Sequence, residues 1–226
     1  MGESGSQPGA PDSAAVICQS LTIFSMERDP YPRDFFERSS DAVARDLVGS
    51  HIIVQRRSLT VSALLVETEA YGGSDDPASH SFRGPTPRSE VMFGRGGVLY
   101  VYRSYGIHWC VNVVTGKEGS PSAVLLRGAE ILAESEDSNV SDADSVVLRG
   151  PGNLSRGLGI TGEDNRLDCC QTPTGSVYFC PGSQKVTARQ IGQSPRIGLS
   201  KGTERASRYF LIGHRAVSGS RLQNLV

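Results

Sequence analysis

The stretch Val61–Tyr71 constrains the fold most, because it reads as a long apolar strand that nevertheless carries Glu67 and Glu69. Side chains alternate along a strand, so Glu67, Glu69 and Tyr71 share one face while Val66, Thr68 and Ala70 take the other. Glutamate is depleted in strands, and two in one apolar run call for a reason. One reading is a half-exposed strand with its acidic face in water. Another is chemical: a carboxylate beside an aromatic ring, ahead of a long loop, activates a water while the ring grips a planar substrate. Two carboxylates about 7 Å apart would also raise each other's pKa, favouring one as a proton acceptor.

Other elements are short. The fold is expected to begin near Asp34. Ser39 or Ser40 caps a helix over Asp41–Leu47 that Gly49 ends. His51–Val54 reads as a strand, and Gly72–Pro87 as a long loop. Val98–Arg103 and Ile107–Val114 read as strands joined through Ser104-Tyr105-Gly106, a β-hairpin pattern. Ala123–Arg127 is a further strand, with a helix expected over Glu130–Glu136 and a surface loop over the acidic 134–145 segment. Gly150-Pro151-Gly152 precedes a short helix at Leu154–Leu158, and Val177–Phe179, Val186–Ile191 and Tyr209–Ile212 read as strands. Many short strands and few short helices predict an α+β single domain over residues 34–214. A Gly-, Ser- and Pro-rich tail, residues 1–20, is expected to be disordered.

Net charge is −1, so bulk charge does not point to nucleic acid, but its distribution is segregated. Arg83, Arg88, Arg95, Arg103 and Lys117 face only Glu90 between residues 80 and 117. A second basic run spans Lys185–Arg208 with only Glu204 against it, and the acids concentrate between Glu130 and Asp144. Such segregation either builds one positive face for a phosphate backbone or decorates a solvated surface. The cysteines (Cys18, Cys110, Cys169, Cys170, Cys180) include no C-x-x-C pair, so no metal or iron–sulfur site is expected, and reduced thiols fit an intracellular protein. No signal peptide or membrane span is legible, which argues against secretion and a membrane partner.

Three further positions stand out. Tyr105 at a turn either folds back onto the core or stands out as a wedge for a base stack. Tyr100 and Tyr102 share a strand face behind it. His80 is a loop histidine, and Asn112 is a polar residue inside an apolar run that needs partners if buried.

Taken in order, Val66-Glu-Thr-Glu-Ala-Tyr71, Asp76-Pro-Ala-Ser-His80, Thr86-Pro-Arg88, Val91-Met-Phe93, Leu99-Tyr-Val-Tyr102, Tyr105-Gly106, His108-Trp-Cys-Val-Asn112, Val124-Leu-Leu-Arg127 and Gly150-Pro-Gly152 resemble the alkyladenine (3-methylpurine) DNA glycosylases. Ala44-Arg-Asp-Leu47 and Ser194-Pro-Arg-Ile-Gly198 extend the match, which spans about 34–212. Single blocks are weak; their order and spacing are specific. The resemblance implies a curved antiparallel sheet flanked by short helices, with a protruding β-hairpin. It implies a cofactor-free enzyme that takes alkylated or deaminated purines from double-stranded DNA, acting as a monomer wherever genomic DNA lies, in bacterial cytoplasm or eukaryotic nucleus. Glu69 corresponds to the general base and Arg127 to a group that helps position the water. Tyr71, His80 and Tyr102 correspond to the base sandwich, Tyr105 to the intercalating wedge, and Asn112 to the gate against guanine.

The chain departs from the family pattern at Gly72-Gly-Ser-Asp75, at Ile107 in place of methionine, and at Asn153 in place of a lysine. Glycosylases that also nick the strand commonly use an amine. Lys117, Lys185 and Lys201 all lie outside the Glu69 strand and the aromatic hairpin, which favours a water nucleophile. Two other classes share the tyrosine pattern: an idle damaged-DNA-binding module and an RNA-binding domain of a translation-related enzyme. Neither needs an acid or a water clamp beside a phosphate backbone.

Overall fold

The computed structural model describes residues 29–57, 59–131, 145–171 and 177–219. The tail 1–20 with Cys18, and residues 134–144 of the acidic segment, lie outside the described residues. In chain order the elements are α1 (Arg33–Phe36), α2 (Ser40–Leu47), β1 (His51–Arg56), β2 (Leu59–Tyr71), β3 (Leu99–Ser104), β4 (His108–Thr115), β5 (Ser122–Ile131), β6 (Val146–Arg149), α3 (Pro151–Gly157), β7 (Val177–Cys180), β8 (Ile191–Ser194) and β9 (Arg208–Leu211). A short 3₁₀ turn at Glu90–Phe93 precedes β3. No helix among the described residues is long and apolar enough to cross a membrane.

One antiparallel sheet holds all nine strands, in the path β3-β4-β5-β2-β1-β7, with β6 added to β5 and the β8–β9 pair added to β2. This is the α+β, single-domain architecture expected. Two central strands change partner midway. β2 pairs with β1 over Leu59–Leu64, then with β9 over Glu67–Glu69. β5 pairs with β4 up to Leu125 and with β6 from Gly128, leaving Leu126 and Arg127 at the changeover. A sheet whose central strands swap neighbours must bend, and β-bulges are the usual device. β2 carries one, with register shifts against β5 on both sides of Glu67.

That bulge also reverses the alternation. Before it, Ala63 and Leu65 enter the main core; after it Ala70 does so, and the Thr68 hydroxyl donates to the Ala44 carbonyl of α2 at 2.8 Å. Val66, expected beside Thr68 and Ala70, instead packs with Phe210, Ala216 and Val217. Glu67, Glu69 and Tyr71 are thereby turned away from the main core, under α2, toward the opposite face.

The Ser39 hydroxyl caps α2, accepting from the Ala42 amide at 3.4 Å, and buried Val43, Ala44 and Leu47 form its inner stripe. The helix expected over 130–136 is corrected at its start. Glu130 and Ile131 belong to β5, because β2 and β6 supply ladder partners on both sides, and the rest lies outside the described residues. The strand expected over Val186–Ile191 begins only at Ile191. Before it the Thr187 amide donates to Gln190 Oε1 at 2.9 Å, closing a 3₁₀ turn where no neighbouring strand is offered. β6 was not legible beforehand.

Candidate active site

Glu67 and Glu69 are both completely buried, which overturns the reading of a solvated acidic face. Buried carboxylates need partners, and the partners come from distant parts of the chain. Arg127 on β5 lies between the two, donating from Nε to Glu67 Oε1 at 3.0 Å and from Nη1 to Glu69 Oε2 at 3.2 Å. Glu69 Oε2 also accepts from the Tyr71 hydroxyl at 2.9 Å, and its Oε1 from the Ile197 amide at 2.7 Å. Glu67 is held by Arg127, Arg208 and both the hydroxyl and the amide of Ser218.

The two carboxylates are therefore not equivalent. For each, burial pushes the pKa up. At Glu67 the Arg127 and Arg208 cations and the Ser218 amide more than reverse it, holding the group below the ordinary range. At Glu69 burial wins over Arg127, the Ile197 amide and Tyr71, and the group titrates above that range. The mutual repulsion expected from the strand spacing is the smallest of these effects at Glu69, because Arg127 lies between them.

Above Glu69 opens a cavity of about 500 Å³ whose walls include Tyr71, His80, Tyr102, Tyr105, Asn112 and Arg127. The structure thus gathers every candidate residue around one hollow. Glu69 is just beneath its surface, bonded to three of the lining residues, Tyr71, Arg127 and Ile197. His80 Nδ1 shares a 2.8 Å hydrogen bond with the Tyr100 hydroxyl, and its ring stands at 71° to Tyr102 with centroids 4.7 Å apart. Desolvation by the surrounding protein, and then the Arg88 cation, hold His80 below its ordinary pKa, favouring the neutral ring. Arg88 also sits 4.6 Å over the Tyr102 ring. Asn112 is buried, and its amide donates to the Tyr100 carbonyl at 3.0 Å, which fixes its orientation.

At the rim, β3 and β4 meet through a turn closed by the Ile107 amide donating to the Ser104 carbonyl at 2.9 Å. Its central residues, Tyr105 and Gly106, both have positive φ, 49° and 70°. Glycine adopts that conformation freely, and a tyrosine does not. Tyr105 is 92% exposed and Ile107 76% exposed, so the tyrosine does not fold back onto the core.

Several supporting residues were not singled out from sequence. Arg196, read there as part of a basic run, is buried and forms a two-pronged pair with buried Asp76, at 2.6 and 2.8 Å. It also donates to the Ala70 carbonyl and lies 4.6 Å over the Tyr71 ring. Arg208, from the same run, is wholly buried. That run therefore supplies interior counter-charges as well as surface charge, whereas Arg83, Arg88, Arg95, Arg103 and Lys117 are all exposed. Arg196 and Asp76 stood inside recognisable motif blocks; nothing in the sequence marked Ser218. No group of three or more His, Cys, Asp or Glu that could hold a metal occurs among the described residues.

The methylpurine-DNA glycosylase family matches residues 34–215. A protein of Frankia casuarinae named 3-methyladenine DNA glycosylase is 40% identical over 200 residues, covering 83% of this chain and 92% of that protein. Proteins of the same name from Methanoculleus marisnigri (83% and 97% covered) and Ehrlichia chaffeensis (79% and 91%) are each 40% identical as well.

Proposed function

The chain belongs to the methylpurine-DNA glycosylase family, and from that premise we propose that it turns a damaged purine out of double-stranded DNA into the cavity above Glu69 and hydrolyses its bond to deoxyribose. It is a DNA glycosylase of the 3-methyladenine type. The observation that carries the finer reading is Glu69 itself: a fully buried carboxylate bonded to Tyr71 and Arg127, directly under an aromatic-walled hollow.

A purine inside a duplex hides its glycosidic bond, so extrusion comes first, at a cost of a few kcal/mol that is lower for a damaged pair. Tyr105 projects from the rim, where it can enter the stack and offset part of that cost. In the cavity the base stacks against Tyr71, His80 and Tyr102. An alkylated, cationic purine gains about 1 kcal/mol over such rings, and the neutral state favoured for His80 avoids repelling it. Asn112, held on the Tyr100 carbonyl, serves in this reading as the gate that collides with the exocyclic amine of normal guanine. Methylated, deaminated and etheno purines lack that amine or weaken the bond to be broken.

Glu69 Oε1 accepts one hydrogen bond, from Ile197, and a carboxylate oxygen has capacity for more. A water there passes its proton to Glu69 as its oxygen attacks the anomeric carbon. The purine departs with the bonding electrons, and the carboxylate stabilises the oxocarbenium-like sugar. Arg127 orients the acceptor. With no lysine in β2, β3 or β4, the product is an intact strand with an abasic site. All the site residues lie in one chain, so a monomer acting on genomic DNA suffices.

Duplexes carrying hypoxanthine or ethenoadenine, incubated with the protein and then cleaved by alkali, test this reading. Alkali-labile sites should form with wild type and not with Glu69→Gln, which should still bind. Binding without abasic sites in wild type would mean an idle module instead.

A further inference from the structure

Glu67 does not line the cavity and has no step in the reaction above, yet it is more heavily ligated than Glu69. Its Oε1 accepts from Arg127 Nε at 3.0 Å, Arg208 Nε at 2.7 Å and Ser218 Oγ at 2.8 Å; its Oε2 accepts from the Ser218 amide at 2.6 Å. Arg208 is in turn tied to the Ser194 hydroxyl at 3.0 Å and the Ser218 carbonyl at 2.8 Å. Ser218 closes the circle by accepting from Arg127 Nη2 at 3.1 Å. The segment carrying it is packed down, with Ala216 and Val217 buried against Val66 and Phe210. It crosses Gly128 so closely that a Cβ there would lie 2.6 Å from the Ala216 carbonyl oxygen. Ser218 lies beyond residue 215, where the family match ends.

A guanidinium is a planar fork with five N–H donors, and three of them are accounted for here. Nε goes to Glu67, one Nη2 hydrogen to Ser218 and one Nη1 hydrogen to Glu69, leaving one hydrogen on each of Nη1 and Nη2 of a residue that lines the cavity. We infer that Glu67, clamped by Arg208 and by Ser218 of the C-terminal segment, is a positioning residue that locks the Arg127 fork with Nη1 turned to Glu69. This rests on Glu69 and Arg127 acting as described above. Glu67 also answers part of the Arg127 charge, alongside Glu69. Without it the cation would pair with Glu69 alone and make it a weaker base.

The charged and titratable groups facing Glu69 are Tyr71 and Glu67 on β2, Arg127 on β5, and Arg196 just after β8. Of these, Glu67 favours the protonated form of Glu69 and Arg127 the ionised one. Removing the Glu67 charge therefore lowers the Glu69 pKa and moves the acid limb of the rate profile to lower pH. The plateau falls because a weaker, less well oriented base accepts the proton less readily.

The test compares wild type, Glu67→Gln and Ser218→Ala in single-turnover base release from a hypoxanthine duplex across pH, with duplex affinity and Tm measured alongside. In Glu67→Gln the rate plateau should fall about tenfold or more, a fraction of the 10²–10⁴ that a general base supplies, and the acid limb should move down in pH. Ser218→Ala removes one hydroxyl and keeps the amide on Glu67. It should lower the plateau about threefold, a share of the same contribution, with affinity and acid limb kept and Tm lowered only modestly. A folded Glu67→Gln with the wild-type limb and plateau overturns the inference. Should that variant not fold, Ser218→Ala decides alone, and a wild-type plateau there overturns it. Absence of base release in wild type would instead defeat the reading of function beneath it.

Discussion

The floor of the cavity and the tip of the β3–β4 pair are opposites in how they use free energy. On the floor, Glu67, Glu69 and Arg208 are wholly buried and every carboxylate oxygen has a donor. At the tip, Tyr105 sits at positive φ with its ring in water, beside an exposed Ile107. Buried charges are expensive unless paired, so the floor tolerates them only as a closed network that holds one geometry. An exposed tyrosine in a left-handed turn returns little to its own fold, which suits the wedge proposed for it. The floor is closed by internal pairs and the tip is left open to solvent. Mutations should separate them.

Glu69→Gln should have the largest effect, a loss of about 10²–10⁴ in base release with duplex binding retained. The same change should raise Tm at neutral pH. Burial raises the Glu69 pKa, so folding is penalised as pH climbs above the ordinary glutamate range, and fully so above the raised value. The Tm gain should therefore vanish in acid, where the side chain is protonated in both states. A gain persisting in acid would mean that packing, and not charge burial, distinguishes the floor.

Next, Arg196→Met should cost about 3–5 kcal/mol in urea denaturation, because it strands the buried Asp76 carboxylate beneath Tyr71. For Asp76 burial acts upward, but the Arg196 pair and the Gly72 amide outweigh it, holding its pKa below the ordinary range. The stability it contributes is thus present above the ordinary aspartate range and lost as pH falls through the lowered value. The wild-type advantage over Arg196→Met should shrink in strong acid. Equal stability at neutral pH would show that the floor is less closed than its contacts indicate.

Tyr105→Ser should shift folding stability by less than about 0.5 kcal/mol while weakening damage-specific duplex binding by about 1–3 kcal/mol, the worth of one base–aromatic stack. Equal losses of specific and nonspecific binding would remove the wedge. The smallest effect is expected at Asn112→Ser, which opens the wall between floor and tip. The barrier to release of undamaged guanine should fall by on the order of 1 kcal/mol, the scale of a small change in pocket shape. An unchanged guanine rate would leave Asn112 as a structural clamp on Tyr100 only.

Local pattern made several parts of this molecule legible. Ser39 before Asp41–Leu47 marked α2 because a hydroxyl cap and an apolar stripe are both properties of adjacent residues. Ser104-Tyr105-Gly106 marked the turn between β3 and β4 because the glycine accepts positive φ. Glu67, Glu69 and Tyr71 were placed on one face by simple alternation, and they do share it. The same rule failed one residue earlier, at Val66, because a bulge set by pairing with β5 cannot be read from β2 alone.

The sequence by itself determined what family the chain belongs to and which residues are candidates for its chemistry, because motif order and side-chain type are written along the chain. Only the tertiary structure decided that the acidic face is buried, that Glu69 and not Glu67 is left with the raised pKa, and which basic residues go inside. Those outcomes depend on Arg127, Arg208, Ile197 and Ser218, separated from the glutamates by 58 to 151 residues. A pKa is fixed by the charges, amides and water around a group in space, and no local pattern contains that sum.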